Sequence, residues 1–361
     1  MSIWDLIDET AGDDRWTMCS SSTGAGEVHS THFLNGRPTS SHVSVGPPVG
    51  GLQMVQHFDH IPVLRDDVVA LFAPVPAGVF VDATVGGGGH AAAVLGSRED
   101  LSLVGLDRDT VALEAARVRL EGFGERVTLV HAPFSALDSV TAGPLSGVLF
   151  DLGVSSPQLD VGARGFSYRA EGAIDMRMDQ TSGPTAGDLV NELPESALAS
   201  LFRENGEGRL AGRIAHAVVV ARPLTSTVQL AEVVAAAVPA AVRRRGHPAA
   251  RVFQALRIEV NDELGQLAAA LPLALDRLVV GGRCAVISYH SGEDRLTKSA
   301  FAEAVTGGCT CPPSLPCVCG ADPQFSLVFR GAHKAPAAEV TENRRSESAR
   351  LRVIERTRAA A

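Results

Sequence analysis

The feature that most constrains the fold is a series of short apolar runs that end in polar residues: VFVDAT (79–84), SLVGLD (102–107), VTLVH (127–131) and GVLFDL (147–152). Runs of this length, closed by an acid, Thr, His or Gly, are the signature of strands buried on both faces of a parallel sheet. Between the second and third, DTVALEAARVRLEGFG sets Val111, Ala115 and Val118 at helical spacing and ends in glycines, which predicts an amphipathic helix with a stop. Strand alternating with helix implies an α/β sheet. The next strand, RCAVISYHS (283–291), comes about 130 residues later, far beyond the roughly 30 residues of one strand-helix-strand unit.

An insertion must fill that gap, and its sequence is helical: TAGDLVNEL, ESALASLFREN, LAGRIAHAVVVA and TVQLAEVVAAAV. In HPAARVFQALRIEVNDELGQL, Phe253, Leu256, Val260, Leu264 and Leu267 form one apolar stripe, with Pro248 near the helix start. SLVFRG (326–331) and ARLRVIERT (349–357) can close the sheet as an antiparallel pair. The expected architecture is a Rossmann-like α/β domain over 57–160 and 265–361, interrupted by a helical subdomain over 161–264 and a cysteine-rich loop over 307–322. Residues 1–56, rich in Ser, Thr, Gly, Pro and His, read as a flexible extension.

With 361 residues and 45% hydrophobic content, the chain can bury a large core. It has no apolar run of about 18 residues and no basic-then-apolar leader, so a cytoplasmic protein without a membrane span is expected. The net charge of −9 excludes coating nucleic acid by bulk attraction, so any RNA contact must be local. Two basic clusters are candidates: Arg243, Arg244, Arg245, His247 and Arg251, and the tail set Arg344, Arg345, Arg350, Arg352, Arg356 and Arg358. Both also fit ordinary solvated faces.

Gly86 to Gly89 follow the first strand and precede a helix-compatible stretch, where a glycine turn lets backbone approach a ligand. Asp107 ends the second strand 21 residues after Gly86, where a doubly wound fold places an acid for ribose hydroxyls. Gly86, Gly88 and Ala91 also fit G-x-G-x-x-A, so a nicotinamide or flavin dinucleotide is an alternative. Asp82, just ahead of the loop, would repel a pyrophosphate and welcome an ammonium, which favours S-adenosylmethionine.

Cys309, Cys311, Cys317 and Cys319 form C-x-C-x5-C-x-C. Four soft ligands within eleven residues fit zinc, whereas structural zinc more often uses C-x2-C pairs, and Pro312, Pro313 and Pro316 restrict the loop. Zinc and uncoordinated thiols both remain open at this point.

Nine segments in order, from HIPVLRDDVV, FVDATVGGGGHA, GLDRD, HAPFSAL, GVLFDLGVSSPQLD and GFSYRAEGAIDMRMD to HPAARVFQALRIEVNDEL, SYHSGEDR and ARLRVIER, run from about residue 60 to the end. In these segments the chain resembles the ribosomal RNA small-subunit methyltransferase H family. The resemblance implies a class I methyltransferase sheet and N4-methylation of a cytidine in the decoding region of small-subunit ribosomal RNA. It also implies S-adenosylmethionine as cofactor, held by Gly88, Gly89, His90, Asp107, Phe134, Asp151 and Gln158. The RNA would be met within an assembled or assembling small subunit; the oligomeric state stays open, a dimer being one option. Departures are an arginine-poor ENGEGRLAGRIAHAVV (204–219) and Gly292 where a larger apolar residue is usual.

A cytosine amine is a poor nucleophile because its lone pair is delocalised, so methylation needs alignment and acceptors for the amine hydrogens. Asp151, followed by Ser155, Ser156 and Pro157, is the candidate set for holding the amine of a base that has left its stack, although Asp151 could serve cofactor binding alone. The inserted helices, with Arg243 to Arg245, would hold the RNA. His290 reads either as a general base or as a hydrogen-bonded strand-end histidine. Rival functions are the same fold and cofactor acting on another nucleic-acid amine or a protein, and a cofactor-binding ribosome assembly factor without turnover.

Overall fold

The computed structural model describes residues 61–359 except 142, 245–246 and 313–317, so the expected extension 1–56 lies outside the described residues. Among these, β1 (Gly78–Asp82), β2 (Leu101–Asp107), β3 (Val127–His131), β4 (Leu145–Asp151), β5 (Leu278–Ser288), β6 (Phe325–Leu327) and β7 (Arg350–Arg356) form one sheet. Its order is β3-β2-β1-β4-β5-β7-β6. The first five strands are parallel, and β7 is antiparallel to both β5 and β6. The chain begins in the middle, winds outward to β3 and returns to the other side of β1 as β4. That reversal opens a crevice at the carboxyl ends of β1 and β4, where ligands of doubly wound sheets bind.

Strand periodicity divides the core in two. Phe80, Leu103, Leu149, Ala285, Ile287, Leu351 and Val353 join one apolar cluster. Their neighbours Val81, Leu106, Val148, Phe150, Val286 and Ile354 join the other. Alternate residues of each strand thus reach opposite faces, and both faces are covered. Helices α1 (Arg65–Phe72), α2 (Gly89–Ser97) and α3 (Thr110–Leu120) cover the first face, and the short α4 (Leu137–Val140) belongs to the second.

After α5 (Ser156–Asp160), a largely irregular stretch leads to α6 (Ala186–Glu192), α7 (Glu195–Phe202), α8 (Ala211–Val220), α9 (Thr227–Ala237), α10 (Ala240–Arg243) and α11 (Ala249–Val260). Capping boxes start two of them: Thr185 with Asp188 at α6, and Ser226 with Gln229 at α9. Next, α12 (Glu263–Arg277) rejoins the sheet, burying Leu267, Leu271 and Leu275 beside Val148 and Phe150. The strand expected over 283–291 ends at Ser288, and α13 (Ser291–Thr306) begins at once; α14 (Ala337–Glu342) follows β6.

Two expectations need correction. Val111 and Val118 of α3 are 48% and 60% exposed, and the helix instead buries Ala112, Leu113, Ala116 and Leu120. A close-packed layer on α2 favours small alanines over branched valines on that face. The apolar stripe from Phe253 to Leu267 is also not one helix. The chain breaks between α11 and α12, where Asp262 takes a left-handed φ of 47°. Asn261 holds the break, donating from Nδ2 to the carbonyls of Arg257 (2.9 Å) and Met176 (2.8 Å).

The tail arginines are largely occupied by the fold. Arg352 pairs with Asp294 (2.8 and 3.1 Å), Arg356 donates to the carbonyls of Asp276 and Leu278 (2.9 Å each), and Arg358 pairs with Asp322. Arg243, Arg244 and Arg251 are exposed, and the His247 ring stacks on Tyr168 at 4.6 Å. Arg245 lies outside the described residues.

Candidate active site

The crevice holds a cavity of about 390 Å³ whose wall includes Gly86, Gly89, His90, Asp107, Phe134, Asp151, Ser155 and Gln158. Its floor is the loop between β1 and α2. Gly86 and Gly88 have φ of 51° and 76°, which a side chain would strain. A Cβ on Gly89 would stand 2.5 Å from Cγ of Pro62. The glycines therefore let the loop turn tightly and sit against the segment that precedes α1.

Asp107, at the end of β2, accepts hydrogen bonds from the backbone N–H of Gly86 (2.8 Å) and of Asp109 (2.8 Å). One bond falls on each carboxylate oxygen, so each keeps a lone pair for a hydroxyl donor. Burial pushes the Asp107 carboxyl up to about 6 against those two bonds. Asp82 is 1% exposed and is likewise pushed up by burial, to about 7. It sits behind the loop, accepting from Thr84 N–H at 3.3 Å, and is not part of the cavity wall, so the ammonium contact expected of it is not direct.

Asp151 ends β4, and its backbone N–H donates to Oγ1 of Thr84 (2.7 Å). Its Oδ1 accepts from the Tyr289 hydroxyl at 2.8 Å, and its Oδ2 lies 3.4 Å from Nε2 of His90. The phenol is held well above its ordinary range by burial and by the Asp151 charge, so it stays protonated and donates. His90 is 5% exposed, and neither ring nitrogen has an aligned hydrogen-bond partner among the described residues. A buried imidazole facing a cavity in that state is ready for a ligand's polar group.

Phe134, at the edge of the cavity, meets Phe150 edge-to-face at 5.8 Å, leaving ring surface for a planar base. Gln158 is more committed than expected: Nε2 donates to Asp109 (2.8 Å) and Oε1 accepts from Ser155 N–H (3.0 Å). Ser156 and Pro157 open α5, and their side chains lie outside what is described.

His290 caps α13: its Nδ1 accepts from Gly292 N–H at 3.2 Å, and its Nε2 lies 3.1 Å from Glu293, poorly aligned for a hydrogen bond. A Cβ at Gly292 would stand 3.0 Å from the ring, tighter than an ordinary contact. His290 thus serves as the cap of α13 and is not part of the cavity wall. Glu293 in turn accepts from the backbone N–H of Tyr289 (2.8 Å) and His290 (3.1 Å), which fixes where the phenol points.

Several residues in the cavity wall or directly behind it were not singled out from sequence. Arg257 and Glu263 form a buried two-bond pair (2.7 and 2.8 Å) in the wall. Asp109 caps α3 and takes Arg164 (2.9 Å) together with Gln158, joining the segment after β4 to the cofactor side. Asn261 ties Met178 of the wall (2.9 Å, N–H to Oδ1) to the α11–α12 break, and its carbonyl accepts from Arg108 (2.6 Å) beside Asp107. The signal available in sequence was only that Met178, Arg257, Asn261, Glu263, Arg108 and Asp109 fall inside DMRMD, FQALRIEVNDEL and GLDRD; apart from the six-residue step from Arg257 to Glu263, the contacts span 49 to 153 positions.

The arrangement suits a nucleoside bearing a cation: a ring face, two acids, an imidazole without an aligned hydrogen bond and a glycine floor. No helix among the described residues is long and apolar enough to cross a membrane. A ribosomal RNA small subunit methyltransferase H from Heliobacterium mobile is 49% identical over 310 residues, covering 83% of this chain and 99% of that relative. The protein of the same name from Thermobifida fusca is 50% identical over 311 residues, 83% of this chain and 94% of its own length. Among solved structures, an rRNA methylase from Streptococcus thermophilus covers 82% of this chain at 14% identity, with a TM-score of 0.39. The family's sequence pattern matches residues 57–357, all of the stretch from the segment before α1 to the end of β7, and by that match the chain belongs to the MraW methylase family.

Proposed function

We propose that the protein methylates the exocyclic N4 amine of a cytidine in the decoding region of small-subunit ribosomal RNA. Its cofactor is S-adenosylmethionine, consistent with the methylase family and the relatives' name. Asp107 would take the ribose hydroxyls, Phe134 the adenine ring, and the loop at Gly88, Gly89 and His90 the remainder, with Gln158 shaping the wall through Asp109. The His90 ring, without an aligned hydrogen bond, and the Asp107 carboxylate in the wall, with Asp82 behind the loop, suit a ligand that is cationic at sulfur. When bound, the cofactor supplies an electrophilic methyl carbon.

The observation that carries the mechanism is the divided use of the Asp151 carboxylate. Tyr289 occupies Oδ1, so Oδ2 is the oxygen left to accept a hydrogen of the incoming amine. Accepting it turns the nitrogen lone pair out of conjugation and toward the methyl, and the same oxygen can take the proton released afterwards. Ser155 lies in the same wall, at the start of the Ser-Ser-Pro turn whose backbone carbonyls can accept the second amine hydrogen. No covalent intermediate with the protein is involved.

The inserted helices are the RNA-holding part of this reading, with exposed Arg243, Arg244 and Arg251 meeting phosphates of an assembled or assembling subunit in the cytoplasm. Incubation with cofactor carrying a labelled methyl group and, in parallel, small ribosomal subunits, naked ribosomal RNA and DNA tests the substrate class. Label in small-subunit RNA is expected; label in DNA or in ribosomal protein alone would overturn it.

A further inference from the structure

The cysteine loop stands apart from the cavity. It joins α13 to β6, with its described parts at Gly307 to Pro312 and Val318 to Asp322. Its two ends are in contact: a Cβ on Gly307 would stand 2.8 Å from the Asp322 carbonyl carbon and the Pro323 nitrogen. Between them, Cys309, Cys311 and Cys319 bring their sulfurs within 4.8 Å of one another.

We infer that Cys309, Cys311 and Cys319 hold a zinc ion as thiolates, clamping the loop between α13 and β6. Three observations support the site. Sγ of Cys319 lies 3.6 Å from Sγ of Cys309, close to the ~3.8 Å edge of a tetrahedron with zinc-sulfur bonds of about 2.3 Å. The backbone N–H of Val318 donates to Sγ of Cys311 at 3.4 Å, a contact that strengthens when the sulfur carries charge. The three thiols are partly or fully exposed, unlike buried Cys284, so an ion can reach them and each proton can leave to water as its sulfur binds. Cys317 belongs to the same motif and lies outside the described residues, so the inference rests on the three thiols that are placed.

Zinc fits the donors better than harder cations, because thiolates select soft or borderline ions and Zn2+ accepts four-coordinate tetrahedral geometry. The role is structural. The loop lies at the far end of α13, a 16-residue helix whose length is about 24 Å, from the Tyr289–Asp151 pair.

The full chain, purified without chelators, is assayed for metal by mass spectrometry, and metal-free chain is titrated with Co2+ as a spectroscopic probe. About one zinc per chain is expected, with thiolate-to-cobalt charge-transfer bands and the red d–d bands of a tetrahedral site. Cys309→Ser with Cys311→Ser should bring zinc to background and abolish both bands while calorimetric binding of S-adenosylhomocysteine is retained. Zinc at background in the wild-type chain, cobalt bound without thiolate bands, or iron in place of zinc would overturn the assignment. So would metal that persists in the double variant and is lost in Glu293→Gln, since that places the ion at Glu263, His290 and Glu293. The cobalt spectrum of the wild-type chain decides the matter even if the variant fails to fold.

Discussion

The hydroxyl of Tyr289 donates to Oδ1 of Asp151 at 2.8 Å, joining the end of β4 to the turn after β5 across 138 positions of sequence. The bond does two things: it orients the carboxylate, and it leaves Oδ2 alone to face the cavity beside His90. Tyr289→Phe removes it without opening a cavity. We expect a stability loss of about 1.5 kcal/mol in urea unfolding, as for a hydrogen bond to a charged group, and a kcat lower by about tenfold or more. The KM for cofactor should move by less than about threefold, because the phenol acts through Asp151.

Asp151→Ala separates two roles for the carboxylate. Under the proposed mechanism, calorimetry gives a Kd for S-adenosylhomocysteine within about threefold of wild type while turnover falls by about a thousandfold, the scale of a lost general base. Equal loss of affinity and turnover would reduce Asp151 to a cofactor ligand.

Cofactor affinity should depend on pH through the buried acids. Asp107 and Asp82 are pushed up to about 6 and about 7, so in the free protein they take up protons as pH falls through that range. A cationic ligand favours their ionised forms, and protons must leave on binding. Affinity for S-adenosylmethionine should therefore rise between about pH 5.5 and 7.5 and then level off, more steeply than for S-adenosylhomocysteine, which lacks the sulfonium. For the ligand-free fold the sign is opposite. Raised folded values mean that their contribution to stability is greatest below the ordinary aspartate range and is lost as pH rises through 6 to 7. Thermal melts with and without ligand over the same pH series check both slopes.

Gly89 and Gly96 sit in one helix with opposite expectations. Gly89→Ala places a methyl group 2.5 Å from Pro62, whereas nothing lies within 4 Å of a Cβ at Gly96. The first should cost about 1–3 kcal/mol by overpacking and weaken S-adenosylhomocysteine binding at least about tenfold. The second should stabilise by about 0.5–1 kcal/mol with affinity unchanged. Urea unfolding and calorimetry on the pair check this.

Asn261→Ala strips partners from the N–H of Met178 and the carbonyl of Met176 at a residue 2% exposed, while the Arg257 carbonyl keeps the backbone N–H of residue 261. A loss of about 2–4 kcal/mol is expected for buried groups left unpaired. Because the break between α11 and α12 would loosen, methylation of RNA should fall more than cofactor affinity does.

The parallel sheet was legible because β1, β2 and β4 are largely buried and read as apolar runs, while the edge strand β3, only partly covered, still shows as the short run VTLVH. The site was legible in part for a related reason: Gly86 to Gly89, Asp107 and Asp151 all sit at strand ends, where local sequence reports them. What escaped were choices made by distant partners. The exposed face of α3 could not be told from its buried one, since alanine and valine both read as apolar. The break at Asp262 was hidden because Asn261 takes its bonds from residues 83 and 85 positions away. Tyr289 was visible only as part of a motif, and its bond to Asp151 exists only once β5 lies beside β4. From sequence the tail arginines fit an RNA contact or a solvated face alike; the structure instead ties Arg352 to Asp294 and Arg356 to Gln324 and nearby carbonyls.

The most direct test of the central claim is the identity of the methylated nucleoside. Small ribosomal subunits lacking the modification are incubated with the full chain and cofactor, the RNA is digested to nucleosides, and the products are separated and weighed by mass spectrometry against standards. N4-methylcytidine from the wild-type chain, and none from Asp151→Asn, is the predicted result. Methyl groups on carbon 5 of cytosine or on adenine, or N4-methylcytidine formed undiminished by Asp151→Asn, would contradict the role assigned to that carboxylate.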